Sequence, residues 1–105
     1  MPMNHSTYVS ALQLNGRPAD PASTSDARLR MSDDTWAITM HADRSSALVT
    51  RLRSAGGFHA RALAVVDGRE LEGGGMVEYH GDAGGGAIAV WIVGQSALEA
   101  ASERD

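Results

Sequence analysis

The chain has 105 residues and a mass of 11.0 kDa, with 43% hydrophobic and 21% charged residues, enough material for one ordinary globular domain spanning 1–105. It has no cysteine, which excludes a disulfide scaffold, a cysteine nucleophile and every thiolate metal site. Net charge is −4 and all nine basic residues are Arg, so a Schiff-base or general-base lysine is excluded as well.

Residues 1–7 carry neither a charged n-region nor an apolar h-region, so no signal peptide is read there, and 1–6 are expected to be flexible. The longest apolar run, residues 87–93, falls far short of the ~20 residues of a membrane helix. A soluble, cytoplasmic, bacterial protein with no membrane partner is the expectation.

The first strand is read at residues 8–14. It enters Asn15-Gly16, a pair suited to a type I′ hairpin because both central residues need positive φ. Pro18 and Pro21 break the return strand, leaving a polar loop at 18–25. Residues 27–32 alternate Ala27, Leu29 and Met31 with Arg28, Arg30 and Ser32, a strand with one wet face. After a turn at Asp33-Asp34, residues 35–41 alternate again, with Trp36, Ile38 and Met40 inward.

Residues 44–55 read as a helix. Leu48, Leu52 and Ala55 fall at helical spacing, Asp43 or Ser45 can cap the start, and Gly56-Gly57 ends it. A strand also fits, because Leu48, Thr50 and Leu52 alternate with their neighbours. Residues 59–66 form a strand into a second hairpin turn, Asp67-Gly68, with 69–72 pairing back. Residues 76–80 make a short strand between two glycine triplets, 73–75 and 84–86, and 73–86 is expected to be the most mobile ordered part. Residues 87–93 are apolar on both faces, which predicts a central, doubly covered strand. Residues 96–104 are read as a second helix, with 99–105 frayed.

The layout is thus three strands and a helix, twice, offset by about 50 residues. It predicts an α+β fold: a mainly antiparallel sheet of five to seven strands, open or curled into a barrel, with one or two short helices. The expected core is Leu12, Leu14, Leu29, Met31, Trp36, Ile38, Met40, Leu48, Leu52, Val65, Ile88, Val90, Trp91 and Ile92. Charge is uneven: residues 44–66 hold four Arg and no acid, while 67–105 hold two Arg and eight acids. Two complementary patches would follow, within one chain or between subunits.

Catalytic candidates are few. His41-Ala42-Asp43 and His80-Gly81-Asp82 both place imidazole and carboxylate two residues apart at strand ends, where i and i+2 share a face. Glu78 joins His80 by the same rule. Such groups suit general acid–base work or a divalent ion. No third spaced ligand completes a metal set, and no cofactor motif is present: the glycine triplets precede no helix, and a phosphate loop needs a lysine. His59 and Arg61 also share a face and could hold an anion.

The expected function is therefore a non-catalytic binding or protein-interaction module that self-associates as a dimer, with the Ile88–Val90–Ile92 stripe left open for a second copy. A small-molecule-binding or small enzyme barrel using the His/Asp pairs is the first alternative. Nucleic-acid binding comes last: net charge opposes it, and basic and aromatic residues do not interleave along the chain.

Overall fold

The computed structural model of the protein describes residues 5–18, 25–32 and 35–100. Its strands are β1 (His5–Tyr8), β2 (Ala11–Leu14), β3 (Arg17–Pro18), β4 (Ser25–Ser32), β5 (Thr35–Asp43), β6 (Phe58–Val66), β7 (Arg69–Gly84), β8 (Ala87–Gly94) and β9 (Glu99–Ala100), with one helix, α1 (Ala47–Ala55), between β5 and β6. Every strand pairing is antiparallel, in the order β1-β4-β5-β8-β7-β6-β2-β3, with β9 added to β7. This is the expected α+β class with the sheet dominant.

The sheet curls into a half-barrel, and its two ends meet at one ribbon. β1 pairs with β4 and β2 pairs with β6, yet only Val9 and Ser10 separate β1 from β2. The Val9 N–H donates to the Ala27 carbonyl at 2.9 Å and the Ser10 N–H to the Val65 carbonyl at 2.8 Å, so pairing passes from one edge to the other without a break. This shared ribbon leaves little unpaired edge for edge-to-edge association. Two meanders result, ribbon–β4–β5 and β6–β7–β8, joined by α1 and zipped together where β5 pairs with β8.

Both hairpin turns take the expected form. Asn15 and Gly16 have φ of 55° and 82°, Asp67 and Gly68 of 53° and 75°, the double positive φ of a type I′ turn. Helix α1 starts at Ser46, not at Asp43 or Ser45: the Ser46 hydroxyl accepts from the Val49 N–H at 3.3 Å. Such a cap contributes about 1 kcal/mol. Gly56, left-handed at φ 75°, donates its N–H to the Leu52 carbonyl and ends the helix. Val49 and Leu52 carry the buried face; Leu48 is half-buried and Ala55 exposed.

The core lies inside the curl. It is built by Leu12, Leu29, Trp36, Ile38, Met40, Ile88, Val90 and Ile92 with Val49, Leu52 and Val77, and by a run of small residues on β6, Ala60, Ala62 and Ala64. Several sequence expectations are corrected. Met31 continues the inward alternation but is the last inward position of β4 and is exposed. Val65 faces away from the core, because Ala64 and Val66 are the buried positions on β6. β8 is central but covered on one face only: Ile88, Val90 and Ile92 are fully buried, while Trp91 is 40% exposed. The Ile–Val–Ile stripe is therefore interior and offers no surface to a second copy.

The first glycine triplet is not a loop. β7 runs unbroken from Arg69 to Gly84, and Gly73, Gly74 and Gly75 pair with Ala62, Arg61 and Ala60 of β6. The indole of Trp36 lies across this stretch. A Cβ at Gly73 or Gly75 would sit 3.1 or 3.3 Å from its ring, and one at Gly94 would sit 2.5 Å away. Glycine is needed here because another group approaches the backbone. The Trp36 Nε1–H donates to the Ser96 carbonyl at 2.7 Å.

No second helix forms over the described part of 96–104. Ser96 to Leu98 is irregular and Glu99–Ala100 is β9, paired with Glu72 and Leu71 of β7; 101–105 lie outside the described residues. The repeat thus extends to the two meanders and not to the helix. The expected flexible end 1–6 is outside the description at 1–4, while 5 and 6 belong to β1. Most of the expected loop at 18–25 and the turn at 33–34 also lie outside it. Among the described residues no helix is long and apolar enough to cross a membrane.

Candidate functional site: the outer face of the sheet

The two His-x-Asp pairs do not converge. His41 is exposed on β5 opposite Ala89 of β8, whereas His80 is on β7, beyond β8. Two strand spacings hold their backbones about 10 Å apart. Among the described residues no three His, Asp or Glu side chains gather into a metal-binding group.

Asp82 is also separated from His80. β7 shifts register between Tyr79 and Asp82, and again between Asp82 and Gly84. Tyr79 opposes Val90 and Asp82 opposes Ile88, both inward positions of β8. The extra residue at the first bulge, beside Gly81 at φ 99°, therefore reverses the face of Asp82 relative to His80. The Asp82 carboxylate accepts locally, from the Gly84 N–H at 3.4 Å. Glu78 and His80 keep the expected common face, with Glu78 Oε1 3.0 Å from His80 Nε2.

Asp43 shapes the chain between β5 and α1. Its Oδ1 accepts from the Ser45 hydroxyl at 2.7 Å and from the Ser45 N–H at 2.8 Å. The hydroxyl bond first, and the amide bond second, hold its carboxyl below the ordinary Asp range. A lowered folded-state pKa stabilises the fold above the unfolded value and loses that contribution as pH falls through the folded value. A carboxyl-detected titration is expected to give Asp43 a midpoint below that of an unstructured Asp, and Ser45→Ala to raise it. An Asp43 midpoint that Ser45→Ala leaves unmoved would contradict the assignment.

A more organised surface lies on the outside of the half-barrel. Cross-strand register aligns Tyr8 with Arg28, Arg28 with Thr39, Thr39 with Trp91 and Trp91 with Glu78, one row across β1, β4, β5, β8 and β7. Arg28 lies over the Tyr8 ring at 4.3 Å and its Nη2 donates to the Tyr8 hydroxyl at 2.8 Å. At the far end the His80 ring stacks on Trp91, centroids 4.4 Å apart and planes 15° from parallel. Tyr8 is 60% exposed, and Arg30, two residues from Arg28 on the same face, is also exposed. Among the described residues neither Arg28 nor Arg30 makes an ion pair.

The sequence reading missed this row because it assigned Trp91 to the core. One signal was available. On β8 the face carrying Ile88, Val90 and Ile92 has the larger claim to the interior, which leaves Trp91 outside with Ala87 and Ala89. The Tyr8–Arg28 contact had no such signal, since it depends on a strand register set across a loop.

A second polar surface is matched internally. A shallow open depression of about 280 Å³ is lined by Asn15, His59, Arg61, Gly74, Gln95 and Ser96 among others. There the His59 Nδ1 lies 2.7 Å from Gln95 Oε1, the Ser96 hydroxyl accepts from the Gly74 N–H, and Arg61 pairs with Glu72 at 3.1 Å. The basic segment 44–66 and the acidic segment 67–105 thus meet at one point within the chain itself. Arg51 is also occupied, 4.0 Å over the Phe58 ring. Compared with protein-family models, with curated proteins and with solved structures, the chain has no match in any of the three.

Proposed function

We propose that the protein is a non-catalytic binding module whose working surface is the outer face of β1, β4, β5, β8 and β7. The observation that carries this reading is the row from Tyr8 to Glu78, in which two exposed aromatic rings are each held by a nitrogen-bearing group, the Arg28 guanidinium over Tyr8 and the His80 ring stacked on Trp91. Large apolar rings left on a surface and held in fixed orientation favour recognition, because their contact area costs little conformational entropy to order. The reading of a small enzyme has less support, since His41 and Asp43 lie apart from His80, and the bulge turns Asp82 away from it. Self-association on this same face remains a partner choice, and light-scattering mass reports it directly.

Amide chemical-shift mapping tests the proposal. A panel of an oligothymidylate, an acidic peptide and a linear oligosaccharide is added in turn. Saturable shifts at Tyr8, Arg28, Thr39, His80 and Trp91 are the expected result with at least one probe. Shifts confined to the His59–Gln95 depression, or none with any probe, would overturn the assignment of this face.

A further inference from the structure

Resting on that reading, we infer that the ligand of the outer face is single-stranded nucleic acid. Bases would stack on the Tyr8–Arg28 and Trp91–His80 platforms, and phosphates would lie along Arg28 and Arg30. Three features of the face point this way.

First, basic and aromatic groups alternate, but across the sheet and not along the chain. Arg28 is fixed against Tyr8, Arg30 is exposed beside it, and Trp91 follows two strands further on. Aromatic rings with interspersed cations are the composition that single-strand binding uses, since every base has a π face and every linkage a charge.

Second, the spacing fits. From β1 to β8 there are three strand steps, about 14 Å. Sheets of about four strands offer room for two or three stacked bases. Thr39 lies between the Tyr8–Arg28 pair and Trp91 in the same row, half-buried and short, so nothing large separates the two platforms.

Third, local charge differs from net charge. The chain as a whole is at −4, but the near half of this face carries Arg28 and Arg30, and the carboxylate in the row, Glu78, lies in the far half, on β7. Asp43 lies at the far end of β5, opposite Ala87, away from the row. The two Arg side chains, which make no ion pair among the described residues, favour a polyanion over an acidic peptide, which would offer no planar groups for both stacks.

The test is fluorescence titration of the full chain with a short labelled oligothymidylate at low salt. Saturable binding with quenching of tryptophan emission is expected. Trp91→Ala and Tyr8→Ala are each expected to weaken binding at least about fivefold, with Trp91→Phe recovering much of the loss. Arg30→Ala should weaken it and reduce the salt slope by about one. Both rings are exposed, so the variants are expected to melt as the parent does; a circular-dichroism melt checks this, and Tyr8→Ala keeps the test valid if Trp91→Ala unfolds. No saturable binding at low salt, or binding that Trp91→Ala and Tyr8→Ala leave unchanged, would overturn the inference. Should the acidic peptide alone perturb the row in the shift-mapping experiment, the nucleic-acid assignment fails while the binding face stands. Should no probe perturb it, both fail.

Discussion

Replacing Trp36 by Ala is expected to cost about 3–5 kcal/mol of folding stability, read from denaturant melts. The side chain is 3% exposed, so nearly all of its area is withdrawn from water in the fold. Its ring lies over backbone at Gly73, Gly75 and Gly94, positions without side chains that could move in to fill the space. The cavity would therefore persist, and cavity cost adds to the lost transfer energy. The indole N–H to the Ser96 carbonyl, at 2.7 Å, also ties the segment after β8 to the core of β5. Small domains have about 5–15 kcal/mol in total, so the variant would sit near the edge of folding. A loss below ~1 kcal/mol would show that the ring is not a core element. Trp36→Phe keeps a plane over the glycines and loses the donor, and is expected to fall between the two.

How much of this fold was legible depended on whether the determining contacts were local. Asn15-Gly16 and Asp67-Gly68 specify their turns within two residues, and the structure has both. Helix α1 ends where Gly56 permits a left-handed cap, another local device. Its start was misplaced by one to three residues because Asp43, Ser45 and Ser46 are all competent caps; Asp43 and Ser45 are instead bonded to each other. The glycine triplet at 73–75 misled for the opposite reason. Gly73 and Gly75 answer to Trp36, nearly 40 positions earlier, and local sequence offers no trace of that partner.

The candidate site was less legible still. Period-two reasoning correctly joined Glu78 to His80, but failed at Asp82, because a bulge adds a residue and reverses the face. The row of Tyr8, Arg28, Thr39, Trp91 and Glu78 comes from five strands. Its members touch only once the sheet order is known, and that order turns on the handover at Val9 and Ser10, where no glycine or proline marks the change.

The second large effect is expected at Gly94, and here even the sign discriminates. Gly94 pairs with Gly75 across β8 and β7 and does not need positive φ, so an Ala there meets no backbone penalty. Considered alone, Gly→Ala at such a position would stabilise by about 0.4–1 kcal/mol through the unfolded chain. The structure predicts the reverse. An added Cβ would lie 2.5 Å from both Cε2 and Nε1 of Trp36 and 2.7 Å from Cδ1. The ring is not free to yield, because its hydrogen bond to Ser96 and the backbone of β7 beneath it fix its position. Gly94→Ala should therefore destabilise by about 2–3 kcal/mol, the upper part of the usual cost of overpacking. A double-mutant cycle separates this clash from any general intolerance of the strand. In a Trp36→Leu background the obstructing ring is gone, and Gly94→Ala should become nearly neutral, giving a coupling of about 2 kcal/mol. If Gly94→Ala were equally harmful in both backgrounds, the close approach of Trp36 would not be its cause. If it stabilised the parent, the indole would not lie over this strand at all.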